Sequence, residues 1–136
     1  MSSRLALALL LMLGCSGGAK PEITDRDWAL IALGEESDPT GLDAKPVTLH
    51  LDSATSRASG FAGCNHYGGS YELGSRKLSF GPTMSTKMFC ESSQKIEGAY
   101  LDALGRVSSW ELADGFLTLR GDGGVRLRFR PAPPSP

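Results

Sequence analysis

RASGFAGCNHYGGSYEL, residues 57–73, decides the fold class. It reads as two strands joined around Gly68 and Gly69, where glycine permits positive φ and close backbone approach. These glycines need not cradle a phosphate: there is no GxxxxGK[ST], and GGSYE opens no evident helix. The stretch also sets Cys64 two residues before His66. Three chemistries share that spacing: a nucleophile with its base, half of a metal site, or scaffold.

Working outward, RKLSF (76–80) gives a further short strand with Leu78 and Phe80 on one face. Upstream, DWALIAL (27–33) places Trp28 as a core anchor, and a polar loop with Pro39 and Gly41 runs from Glu35 to Pro46. PVTLHLD (46–52) then alternates Val47, Leu49 and Leu51 against Thr48, His50 and Asp52, which is the period of a half-buried strand. Downstream, ESSQKIEGAYLDAL (91–104) is the helix candidate. Ile96, Tyr100, Ala103, Leu104 and Val107 make one apolar face. Ser92 or Ser93 suits the cap, Gly105 suits the stop, and Glu91 and Lys95 form an i,i+4 pair. VSSWEL, GFLTLRG and VRLRFR follow as three strands, with Asp114-Gly115 and Asp122-Gly123-Gly124 as turns. The expected fold is α+β: a curved antiparallel sheet with one helix packed across it. Arg126, Arg128 and Arg130 fall on the polar face of the last strand, as a solvated face or a contact for anionic lipid or glycan.

The first twenty residues give the address. Arg4 precedes an apolar run from Leu5 to Leu13, too short for a permanent membrane span and laid out as a secretory signal. LMLGC, residues 11–15, resembles a bacterial lipobox, with Met12 and Leu13 departing from the commonest choices. Cleavage before Cys15 would leave it as the lipidated first residue. Ser16, where an aspartate would retain the protein in the inner membrane, favours the outer membrane facing the periplasm. The expected organisation is a signal over 1–14, a lipidated tether over 15–23, a domain over 24–130 and a Pro-rich, disordered or extended tail over 131–136.

Of the three cysteines, Cys64 and Cys90 then remain. In an oxidising compartment such a pair is most simply a disulfide. Closing a loop of about 25 residues contributes about 3–4 kcal/mol in the chain-entropy account. The net charge of −1 carries no nucleic-acid footprint.

Together these pieces resemble the HslJ-like META domain of bacterial envelope lipoproteins. The matching residues are W-x-L at Trp28 and Leu30, and the strand ending at Asp52. They continue with G-x-A-G-C-N-x-Y-x-G-x-Y from Gly60 to Tyr71, including Gly63, Asn65, Tyr67 and Tyr71. LSFGPTMSTKMFC from Leu78 to Cys90, with Thr86 and Met88, follows, and then W-E-L-x-D-G-x-L-x-L from Trp110 to Leu119. The resemblance implies a half-barrel-like sheet with a helix, a link to heat or antibiotic stress in some relatives, and no established enzymatic activity. Relatives are similar in shape to type III secretion pilotins, which raises binding of a lipid or hydrophobic tail. Lys87 stands where the family often has arginine, and His66 falls at a variable position.

Beside that resemblance the residues keep their own alternatives. A thiol enzyme using Cys64 and His66 lacks an orienting group and an oxyanion signature. A zinc set of Cys64, Cys90, His66 and His50 has suitable ligands but no CxxC or HxxxH spacing. Ser85, Thr86 and Lys87 would suit a serine–lysine hydrolase, without a second supporting motif. Met84 and Met88 read as fillers of core gaps before copper ligands. Glu35 and Glu36, or Asp114 and Asp122, read as solvated loop charges. The structural reading pairs Cys64 with Cys90 and has Asn65 bonding local backbone. The leading expectation is a non-enzymatic envelope lipoprotein without cofactor or metal, acting under stress. The alternative is a binding module for a lipid, hydrophobic tail or client protein, and a thiol-dependent enzyme is the least favoured.

Overall fold

Alternating apolar residues lay down ten strands in the structure, a computed structural model that describes residues 22–133. The signal, Cys15, the tether as far as residue 21 and tail residues 134–136 lie outside the described residues. The elements in order are β1 (Asp27–Leu33), β2 (Glu36–Ser37), β3 (Thr48–Asp52), β4 (Arg57–Phe61), β5 (His66–Leu73), β6 (Leu78–Phe80) and β7 (Met84–Ser85). The helix α1 (Gln94–Gly105) follows, and β8 (Val107–Ala113), β9 (Phe116–Gly121) and β10 (Val125–Pro131) complete the chain.

All pairings are antiparallel, in the order β6-β5-β4-β3-β1-β10-β9-β8, with β2 added to β1 and β7 to β5. The two ends of this sheet curl toward each other. Lys77 bridges Ser109, and the Trp110 N–H donates to the Arg76 carbonyl at 3.1 Å. The result is a nearly closed half-barrel.

Inward-facing residues fill its concave side. Trp28, Leu49, Leu51, Leu117, Leu119, Leu127 and Phe129 are fully buried there, and α1 contributes Tyr100, Ala103 and Leu104 to the same core. A helix face with that spacing has one direction in which to bury itself, and the open side of the half-barrel supplies it. Trp28 is fixed further by its indole N–H, which donates to the Ile23 carbonyl at 2.9 Å.

Several expectations change. The β4–β5 turn lies at Ala62–Asn65, not at Gly68–Gly69; those two glycines pair with Ser59 and Ala58 in mid-ladder. Gly63 takes φ of +125°, and the turn closes by a bond from the Ala62 N–H to the Asn65 carbonyl at 2.8 Å. Gly69 is glycine because the chain at Pro82 crosses it: a Cβ there would lie 3.0 Å from the Pro82 carbonyl oxygen.

The helix begins at Gln94, so Glu91 stands ahead of the first turn. Ser93 occupies the cap position, yet its hydroxyl makes no cap bond and is buried without a partner. The domain also extends past both expected limits. Ile23, assigned to the tether, is buried in the core. Pro131, assigned to the tail, pairs with Trp28, and the Ala132 N–H donates to the Asp27 carbonyl at 2.9 Å.

Candidate functional site

The Gly63-Cys64-Asn65 turn is gripped from three sides. Cys64 is bonded to Cys90, with Cα atoms 5.8 Å apart, which ties the turn to the segment entering α1. The Leu42 N–H donates to the Gly63 carbonyl at 2.7 Å, and a Cβ on Gly41 would overlap the Gly63 backbone. From the third side comes Glu97, one turn into α1 and buried. Its Oε1 accepts from the Asn65 N–H at 2.7 Å and the Cys64 N–H at 3.3 Å, and its Oε2 accepts from the Asn65 side-chain amide at 2.8 Å.

Asn65 is the centre of this network. Its Nδ2 donates to Glu97 and to the Met88 carbonyl at 3.1 Å, while its Oδ1 accepts from the Thr86 hydroxyl at 2.9 Å and the Met88 N–H at 2.8 Å. Thr86 and Met88 therefore matter through one hydroxyl and one stretch of backbone. Four bonds satisfy the buried amide side chain, as a polar group inside a core requires.

A second buried network lies beside it. The Tyr67 hydroxyl donates to the Thr48 carbonyl at 2.9 Å and lies 2.6 Å from the Tyr100 hydroxyl, with the rings edge to face at 5.6 Å. Tyr71 bonds the Asp52 carbonyl at 2.9 Å, and the Trp110 indole N–H bonds the Gly74 carbonyl at 2.9 Å. Each of these side chains pins a neighbouring strand or loop.

Of the residues proposed for chemistry, Cys64 and His66 line one cleft, but the Cys64 sulfur is held in the disulfide. His66 is exposed on β5 against the Phe61 ring, 5.6 Å between centroids. His50 lies on β3, where its Nδ1–H donates to Asp27 at 2.9 Å. Cys64 has Cys90 as its partner and sits in the turn ahead of β5, whose first residue is His66. Met84 and Met88 do not fill core gaps: they are 78% and 55% exposed, and Phe89 beside them is 78% exposed. Of the three, Met88 lines a cleft of about 360 Å³, together with Leu42, Lys45, Phe61, Cys64, His66 and Thr86. The residue missed in the sequence is Glu97. Its signal was an acid in helical register with Tyr100 and Leu104, on the face that must be buried.

The tyrosines give a pH prediction. Burial pushes the Tyr67 and Tyr100 hydroxyls well above the ordinary phenol range; the Tyr100 neighbour adds to the rise at Tyr67, and the hydrogen bond between the two partly offsets it at Tyr100. Tyr71 is raised by burial first and by the charges of Asp25 and Asp52 second. A folded pKa above the unfolded value of about 10 means that stability is intact below that pH and is lost as pH rises past it. Tyrosinate absorbance of Tyr67 and Tyr100 is expected to appear together with loss of near-ultraviolet circular dichroism. Titration of all three tyrosines at about pH 10 with the fold intact would contradict the buried pair.

Comparison with known proteins places these residues in a family. The META domain model matches residues 21–134. A solved structure described as the NMR structure of the protein from Burkholderia xenovorans is 35% identical, with 82% of this chain and 84% of that chain covered and a TM-score of 0.67. A second NMR structure shares the fold at 19% identity and a TM-score of 0.59, covering 77% of this chain and 87% of that one. Among curated proteins none matches the chain. The match over all of the described residues, together with the Asn65-centred turn that the motif residues build, means that this chain belongs to the META domain family.

Proposed function

We propose that the protein is a lipid-anchored envelope protein that acts by binding and not by catalysis, helping to keep the envelope intact under heat or antibiotic stress. One observation carries the non-catalytic part. The polar groups of the family turn are engaged with one another: Cys64 in a disulfide, and Asn65 and Glu97 in bonds to backbone and to each other. A nucleophile or general base must reach a substrate proton, and these groups are committed to holding a turn. The family is not known for enzymatic activity, which fits. The anchoring part rests on the signal-like start and Cys15, and the outer-membrane placement on Ser16.

Two measurements test this reading. Cells fed labelled palmitate should incorporate it into the protein, and Cys15→Ser should abolish the label. Deleting the gene should leave normal growth but raise sensitivity to heat or amphipathic antibiotics; an unchanged response across a stress panel would count heavily against the role.

A second reading, a module for a lipid, a hydrophobic tail or a client protein, is favoured by the exposed Met84, Met88 and Phe89 and by the cleft that Met88 lines. The concave face is filled by the core, so this reading moves to the outer surface. Native mass spectrometry of protein taken from its own envelope should find a bound lipid or peptide, and repeated absence of either would sink it.

A further inference from the structure

The outer surface at the closing seam of the half-barrel carries a cationic row. Lys77 bridges Ser109, Ser109 pairs with Arg120, and Arg120 pairs with Arg126. Directly paired residues of an antiparallel ladder point to the same face, and neighbouring strands lie about 4.8 Å apart. Glu111, Thr118 and Arg128 form the next row, which adds one carboxylate to this face, with the Arg128 guanidinium stacked 4.5 Å from the Phe116 ring centroid. Among the described residues the ion pairs are His50–Asp27 and Arg106–Asp102, so none of these cations has a carboxylate partner. Like charges placed directly opposite destabilise a sheet. Arg120 beside Arg126 is therefore a feature that folding alone does not call for.

A cleft of about 520 Å³ opens at one end of this row, lined by Ser75, Arg76, Ser109, Trp110, Thr118 and Arg120. Two guanidinium groups suit the paired oxygens of a phosphate, and three hydroxyls suit a polyhydroxylated ring. Glu111 also lines the cleft and makes no ion pair there; it is an acceptor for ligand hydroxyls. Ser75 and Trp110 are shared with a neighbouring cleft formed by Glu22, Ile23 and Thr24, where the described chain begins. Seven residues from Cys15 to Glu22 reach at most about 25 Å. A protein anchored through Cys15 holds this cleft near the membrane surface.

We propose that this cleft binds the phosphorylated sugar headgroup of a membrane glycolipid. A flat phospholipid surface would meet the cationic row but leave the concave, hydroxyl-rich cleft empty, so the sugar phosphate is the occupant that uses both. The proposal draws on the anchoring reading only for where the ligand is met. Binding is therefore measured on the exported full chain carrying Cys15→Ser, so that the two ideas fail separately.

The probes are glucosamine 1-phosphate, glucosamine, inorganic phosphate and phosphatidylglycerol vesicles, followed by amide shifts in nuclear magnetic resonance. The sugar phosphate should move Ser109, Thr118 and Arg120 and bind at least about tenfold more tightly than either fragment alone. Arg120→Gln with Arg126→Gln should weaken it by about tenfold or more without lowering the thermal midpoint, because the change removes a repulsion. Lys45→Gln with Lys87→Gln, on another surface, should leave it unchanged. Equal binding of phosphate alone, binding to vesicles without the sugar phosphate, shifts elsewhere, or equal loss in the lysine variant would each overturn the proposal.

Discussion

Glu97→Ala is expected to destabilise the domain by about 3–5 kcal/mol, read as a lower denaturant midpoint. The change strips the acceptor from the Cys64 N–H, the Asn65 N–H and the Asn65 side-chain amide, all inside the core. An unmade bond at a buried donor costs about 1–3 kcal/mol, and three donors share this one. Set against a total of about 5–15 kcal/mol for a domain, the variant stands near the edge of folding. Glu97→Gln separates the terms. It keeps one acceptor oxygen for the two backbone donors but points an amide at Asn65 Nδ2, whose own oxygen is already held by Thr86 and Met88. Its loss should be intermediate. A Glu97→Ala protein with an unchanged midpoint would mean that the buried network contributes nothing.

Reduction of Cys64–Cys90 is the second large effect. The bridge closes a loop with a sequence separation of 26, and its loss should cost about 3–4 kcal/mol, mostly by freeing the unfolded chain. Because that effect lies in the unfolded state, the native turn should stay in place. Amide exchange at Cys64 and Asn65 should remain slow relative to the exposed loops, since Glu97 still accepts both bonds. Cys64→Ala with Cys90→Ala should reproduce the reduced midpoint. An identical midpoint with and without reductant would mean that the bridge does not contribute to the stability of the purified protein.

These two effects mark how far the sequence could be read. Alternation in residues 46–52 and 125–130 set those strands correctly, because a one-sided sheet leaves a period of two in its sequence. The turn at Ala62–Asn65 was hidden because glycine marks both turns and close crossings, and Gly68 and Gly69 belong to the second kind. Cys64–Cys90 was legible from the oxidising compartment that the signal-like start leads one to expect. Glu97 carried a signal in its register with Tyr100 and Leu104, but its role was not legible, because only the position of Asn65 in space gives it a buried partner. Met84 and Met88 were misplaced for the opposite reason: their apolar character suggests a core, but β7 turns Met84 to the same outer face as Gly68.

The place of β1 between β3 and β10 has a consequence for the order of events during synthesis. Trp28 pairs with Pro131, about a hundred residues later, and pairings of such separation form slowly. The seam joining β1 to β10 cannot form until the last strand has left the ribosome, so a growing chain has no way to finish its sheet early. If the signal at its start directs export, a chain that engages the translocation machinery while it is still being made does so before this pairing can form.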